Sequence, residues 1–341
     1  MMKIDELKKI IKGDREAPHV FVLWGEEIFL KSHYVKQLKE LLQPDCMEEL
    51  NVFRFDGKEY DIRRVDEAIE ALPVMADKKL LLFSDSFIFK PDGRTGAKSA
   101  YRDYWAERLR DIPDYVSILF DESEIDKRSA LLKQADKIGA CVEFSYMTEN
   151  EMVRWTQKLF TVLGTQISAQ NAAYLNEMTQ GGMMAVRREA EKLAAYCLGR
   201  PSVTRADIDL LVMPTIEGKV FDMVAAMLQH NAEAALKLLD DLFVLKFDAN
   251  QILPPIIYNA DKLLQTKLLM QSGADKSAIV SKLKISPFAA SKFMRDSTKY
   301  SVQDLERLVH RLSETDGFIK SNSMDNESLV SLLVCEFCTS N

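Results

Sequence analysis

Between residues 20 and 144 the chain alternates short, mostly apolar runs with stretches whose apolar positions recur every three or four residues. The runs at 20–24, 52–55, 79–83, 116–120 and 141–144 predict β-strands, and the first, Val20 to Trp24, is apolar throughout, as a strand covered on both faces requires. The stretches at 28–42, 62–72, 101–110 and 129–138 predict amphipathic helices between them. This alternation implies a mostly parallel sheet covered by helices on both faces. The polar segment 90–98 predicts a loop.

After Phe144 the strand signal stops. Thr148-x-x-Glu151 is a capping box that opens a helix to about residue 163, with Gly164 as its stop. Helices at 168–178 and 184–196 flank Gly181-Gly182, and Thr204 caps a short helix ending near Met213-Pro214. Everything beyond reads as helix: 220–228, 232–245, 252–270, 277–283, 288–295, 302–312 and 329–337. The expected organisation is an α/β domain at 1–145, a small helical domain at 146–213 and a larger helical domain at 214–341.

The first strand, the turn after it and the first long helix of the α/β region stand where a phosphate-binding loop usually sits. Such a loop needs G-x-x-x-x-G-K-[ST]. Here Gly25 is followed by Glu26, Glu27, Ile28, Phe29, Leu30 and Lys31, with no second glycine and two carboxylates where an anion would dock. The frame is that of a nucleotide-binding fold without its nucleotide chemistry, and no cofactor is expected.

Composition narrows the class further. The 341 residues, 47% hydrophobic and 28% charged, are enough for two or three globular domains. A net charge of −7 argues against a chain whose main task is to hold nucleic acid alone, because Lys and Arg neutralising phosphates supply most such affinity. The N-terminus is a charged amphipathic helix, and no run approaches the ~18 apolar residues of a membrane span. A cytoplasmic protein without membrane contact is expected. Five scattered cysteines suit free thiols. Cys335-x-x-Cys338 has no second pair to complete four zinc ligands, and the four histidines lie in no metal or triad signature, so no metal site is expected.

Four stretches are candidates for function. In Leu72-Pro73-Val74-Met75, Pro73 ends the preceding helix and leaves two apolar residues in a connection that is normally polar. Those side chains either pack under the domain edge or form an exposed knob that inserts into a partner. Asp121 to Arg128 follows the fourth strand and reads as a solvated charged loop; Lys127 and Arg128 there could face phosphates. Arg187, Arg188, Glu191 and Lys192 read as a solvated helix face with i,i+4 pairing. Residues 277–295 have the outline of a helix-turn-helix with Lys292 and Arg295 on the second helix, a form that is also common in plain helical bundles.

Taken together, these stretches resemble the delta subunit of the bacterial DNA polymerase III clamp loader. The resemblance rests on Leu23-Trp24-Gly25-Glu26-Glu27-x-Phe29-Leu30, Leu72-Pro73-Val74-Met75-x-x-Lys78-Lys79-Leu80 and Asp126-Lys127-Arg128. It extends to Gly182, Glu191-Lys192-Leu193-x-x-Tyr196, Val220-Phe221 and Asp316-x-x-Ile319-Lys320, and so covers nearly the whole chain. It implies an AAA+-like α/β domain without ATPase activity, a helical lid and a helical collar that assembles the subunits. The implied partners are the sliding clamp (beta subunit), the gamma/tau ATPase subunits, delta-prime and primed DNA within the assembled complex. No catalytic residue is implied in this chain, which would act inside a polymerase holoenzyme.

By position, the resemblance makes Val74 and Met75 a wedge for a pocket on the clamp, with Leu72 in support. Many members carry two bulkier residues there, so a weaker or differently shaped clamp contact is expected. Two other classes stay open at this level: an AAA+ ATPase with an unusual loop, and a helix-turn-helix DNA-binding regulator. The delta-prime relative is disfavoured, because its four-cysteine zinc module and Ser-Arg-Cys finger have no counterpart in the chain.

Overall fold

The structure is a computed structural model that describes residues 1–90, 99–180, 182–213, 216–321 and 326–339. All but the first residue of the loop expected at 90–98 lie outside these, as do Gly181 and Pro214. The chain divides into two compact units, Met1–Tyr146 and Met147–Asn341.

The first unit carries α1 (Ile4–Ile11), β1 (Val20–Trp24), α2 (Ile28–Leu42), α3 (Glu48–Asn51), β2 (Val52–Asp56) and α4 (Ile62–Glu70). It continues with β3 (Lys79–Ser84), α5 (Ser99–Arg108), β4 (Val116–Asp121), α6 (Ala130–Ile138) and β5 (Ala140–Glu143). The five strands form one parallel sheet in the order β2-β3-β4-β1-β5. Every residue of β1 is buried, as a central strand covered on both faces requires. One face packs Val20, Val22, Phe83 and Phe120 against Val65, Trp105 and Leu132 of the helices; the other packs Phe21, Leu23 and Leu82 against Leu7, Val35 and Leu38. All strands being parallel, the sheet has an amino edge and a carboxyl edge, which separates the two candidate loops described below.

The second unit opens with α7 (Glu149–Val162), α8 (Ala169–Met178), α9 (Met183–Tyr196) and α10 (Arg205–Leu211). The capping box of Thr148 and Glu151 forms as the sequence predicts, and Arg187 pairs with Glu191 at 2.8 Å. Phe160, Leu175, Val186, Leu193 and Ile208 are buried there. Then follow α11 (Ile216–Leu228), α12 (Ala232–Val244), α13 (Ala249–Gln271), α14 (Lys276–Leu283), α15 (Pro287–Ser297), α16 (Val302–Ser321) and α17 (Asn326–Thr339). α13 is the axis of this part, burying Ile252, Ile256, Ala260 and Leu263 against its neighbours. α16 outruns the predicted 302–312 by about two and a half turns. Ser313 and Thr315 satisfy their hydroxyls on the carbonyls four residues back and so stay helical, although their residue types favour turns.

The pair α14 and α15 forms the helix-turn-helix outline, with Lys284 in the left-handed conformation at the turn. Its second helix does not carry both of its basic residues to the surface. Lys292 is turned into the bundle, its Nζ 3.7 Å from the Phe221 ring centroid and 3.9 Å from Asp222, and burial lowers its affinity for a proton. Arg295 stays at the surface beside Asp296.

Candidate functional site

Two connections of the first unit hold the candidate chemistry, one at each edge of the sheet. At the carboxyl edge, β1 passes into α2 through Gly25, Glu26 and Glu27. Gly25 has φ +132°, and a Cβ there would stand 2.2 Å from the Phe144 carbonyl oxygen, so only glycine fits. The Glu27 N–H donates to that same carbonyl at 2.9 Å, and the Phe144 N–H returns to Trp24 at 2.7 Å. The start of α2, where a phosphate loop would present free donors, is closed on the protein's own backbone. Burial pushes the Glu27 carboxyl up.

The basic and acidic groups of this edge likewise turn toward the protein. Lys31, buried on α2, places Nζ 2.8 Å from Asp121 Oδ1 at the end of β4 and donates to the Glu122 carbonyl at 2.8 Å. Glu122 itself departs from the expected solvated loop, being fully buried. Its carboxylate accepts from the Ser86 N–H at 3.1 Å, the Phe87 N–H at 2.9 Å and the Ser86 hydroxyl. It thereby braces the turn after β3, where Asp85 and Phe87 both take positive φ. Burial pushes its pKa up to about 7. Of the rest of the stretch, Asp121, Ile125 and Asp126 are half-buried, while Lys127 reaches Glu143 at 2.7 Å and Arg128 is exposed with Asp126 as its neighbour.

At the amino edge, the connection from α4 to β3 is built in the opposite sense. α4 ends at Glu70, two residues before the predicted end, with Ala71 already extended at ψ 137°. Buried Lys79 collects the helix-end carbonyls, donating to Ala68 at 2.9 Å and Ala71 at 2.7 Å, and burial lowers its affinity for a proton. Three residues on, the fully buried Asn51 side chain grips Val74 on both sides. Its Oδ1 accepts from the Val74 N–H at 2.8 Å, and its Nδ2 donates to the Val74 carbonyl at 2.9 Å. Met75 takes φ +53°, and the Cys46 thiol donates to its carbonyl.

With its backbone satisfied inward, this connection turns its apolar side chains outward. Leu72 is 72% exposed, Val74 41% and Met75 76%. The choice between core and knob falls to the knob. Met47 and Leu50, just before Asn51, are exposed too. Asp45 and Asp77 line a hollow of about 350 Å³ beside Met75. The result is an apolar tip with an acidic margin, a form that marks binding surfaces. Asn51 is absent from the candidates read from the sequence; Lys79 and Glu122 lie inside candidate stretches, but nothing in the sequence marks either as buried. A lone polar residue inside or beside an apolar run carries no pattern that marks it as buried.

The fold and the closed phosphate-loop position define a protein with a parallel α/β domain that lacks a phosphate loop and is followed by helices. Family models place it more narrowly: the DNA polymerase III, delta subunit model matches residues 21–145, and that for the C-terminal domain of the DNA polymerase III delta subunit matches residues 217–337. The chain belongs to the DNA polymerase III delta-subunit family, the delta chains of the clamp loader. The DNA polymerase III subunit delta of Bacillus subtilis is 21% identical over 349 residues, covering 100% of this chain and 98% of the relative. A probable DNA polymerase III subunit delta of Aquifex aeolicus is 25% identical over 320 residues, covering 91% and 89%. Among solved structures, the Bacillus subtilis DNA clamp loader delta protein matches this fold with a TM-score of 0.76 at 20% identity, over 99% of this chain and 100% of that one.

Proposed function

We propose that this chain binds the sliding clamp through Leu72, Val74 and Met75 and favours the opened ring, so that primed DNA can enter. The observation that carries the reading is the knob: three apolar side chains held out in solvent by a backbone that is bonded inward. Exposing them to water is unfavourable. Leu72 and Met75 would each return up to about 1.5–3 kcal/mol on entering a partner's pocket, and the less exposed Val74 a smaller amount.

Opening needs no catalysis by this chain. A subunit that binds the open ring better than the closed one shifts the population by that difference in affinity and by nothing else. The closed phosphate-loop position around Gly25, Glu26 and Glu27 fits such a role, with nucleotide binding left to the gamma/tau ATPase subunits. Residues 146–213 act as the lid and 214–341 as the collar that joins those subunits and delta-prime. Lys127 and Arg128 face primed DNA in the assembled ring, Arg128 being the more accessible. The helix-turn-helix alternative is weakened by Lys292, which is turned toward Phe221 and Asp222.

The test is binding of the purified chain to its cognate clamp, wild type against Val74→Ala/Met75→Ala. Affinity lost with folding intact supports the reading. Equal affinity places the contact elsewhere.

A further inference from the structure

We propose that Asn51 is the positioning residue of the clamp contact, holding the knob in its binding geometry before the clamp arrives; this rests on the reading above. Four bonds converge on this one buried amide. Two hold Val74 from both sides, and two more run from Nδ2 to the Met47 carbonyl at 3.2 Å and the Cys46 carbonyl at 3.3 Å. Asn51 therefore ties two separate pieces of chain, the turn before β2 and the turn before β3, at a single point on the amino edge of the sheet.

Left to itself, the 71–77 connection has little to fix it. Its large side chains point into solvent, and Met75 sits in the left-handed region, which residues other than glycine adopt only when their surroundings impose it. The surroundings here are Asn51, the Cys46 thiol on Met75 and Lys79 on Ala71. Lys79 holds the helix end, whereas Asn51 holds the residue that carries one of the contact side chains. A loop populating its bound form only part of the time loses affinity in proportion, and the pin removes that loss.

Asn51→Asp separates the pin from the packing. The variant keeps the size and the acceptor for the Val74 N–H but sets an oxygen against the carbonyls of Val74, Met47 and Cys46. Clamp affinity is measured for wild type, Asn51→Asp, Val74→Ala/Met75→Ala and the triple variant. The expected result is a loss on the order of tenfold for Asn51→Asp, about one net hydrogen bond. A much smaller further loss is expected in the triple variant relative to the double, because only Leu72 of the three contact side chains remains to be positioned. Wild-type affinity in a folded Asn51→Asp, or losses that simply add in the triple variant, would overturn the inference. Hydrogen exchange on the wild type decides independently of how the variants fold. The Val74 amide is expected to exchange slowly despite its exposed side chain, and fast exchange would overturn the pin. Should Val74→Ala/Met75→Ala bind like wild type while the Val74 amide is protected, the clamp reading fails and the pin is left without the contact it was inferred to serve.

Discussion

The two edges of the sheet handle polar and apolar groups in opposite ways. At the carboxyl edge Lys31 pairs with Asp121 and donates to the Glu122 carbonyl, the Glu122 carboxylate accepts from Ser86 and Phe87, and the Phe144 carbonyl takes the Glu27 N–H at the start of α2. At the amino edge Asn51 and Lys79 take up the backbone of the 71–75 connection, and its apolar side chains are left in solvent. Both connections use buried polar side chains to fix the backbone. One thereby closes the position where a phosphate loop would stand; the other leaves an exposed apolar surface, the proposed clamp contact.

That contrast predicts a graded series of outcomes. Gly25→Ala has the largest expected effect, a loss of stability of about 3 kcal/mol or more in urea unfolding, from positive φ and the clash with Phe144. A loss below about 1 kcal/mol would mean the turn is not closed as described. Lys31→Ala follows, expected to cost about 2–3 kcal/mol because it leaves Asp121 and the Glu122 carbonyl without their buried partner. Clamp affinity is expected to stay at the wild-type level, since the change lies at the other edge.

Glu122 sharpens the comparison through pH. In the folded chain its carboxyl titrates near pH 7, and in the unfolded chain near the ordinary 4.5. Between those values the folded state holds a proton that the unfolded state has released. The stabilisation from protonation is therefore present at low pH and is lost as pH rises through 7. Relative to Glu122→Gln, which does not titrate, wild type should lose up to about 3 kcal/mol between about pH 5 and pH 8. A difference that stays flat with pH would contradict the burial described. The smallest effect belongs to the knob: Val74→Ala/Met75→Ala should change thermal stability by under about 1 kcal/mol, because neither side chain is in the core. A larger loss would return these residues to the core.

The strands are legible because each is a short, mostly apolar run, and the resemblance singles out Val74 and Met75. Spacing alone left core and knob open, since a proline-ended helix followed by two apolar residues fits both. Other features had no local signal. Asn51 reads as one polar residue before a strand, and its importance lies in Val74, 23 positions away. Lys79 reads as a charged strand start, whereas it is buried on the end of α4. Glu122 sits in an acidic run that looks solvated throughout, yet only it turns inward to Ser86 and Phe87. The extended α16 was hidden by Ser313, Thr315 and Gly317, residue types that usually end helices. Patterns of period two or 3.6 report faces; they do not report which polar side chain crosses between elements.

The most direct measurement compares the affinity of this chain for a free sliding clamp and for the same clamp cross-linked shut across its ring interfaces. Clamp opening by differential binding predicts tighter binding to the free ring, with the difference reduced in Val74→Ala/Met75→Ala. Equal affinity for the free and the locked ring would contradict it, because a partner that binds both forms alike shifts nothing.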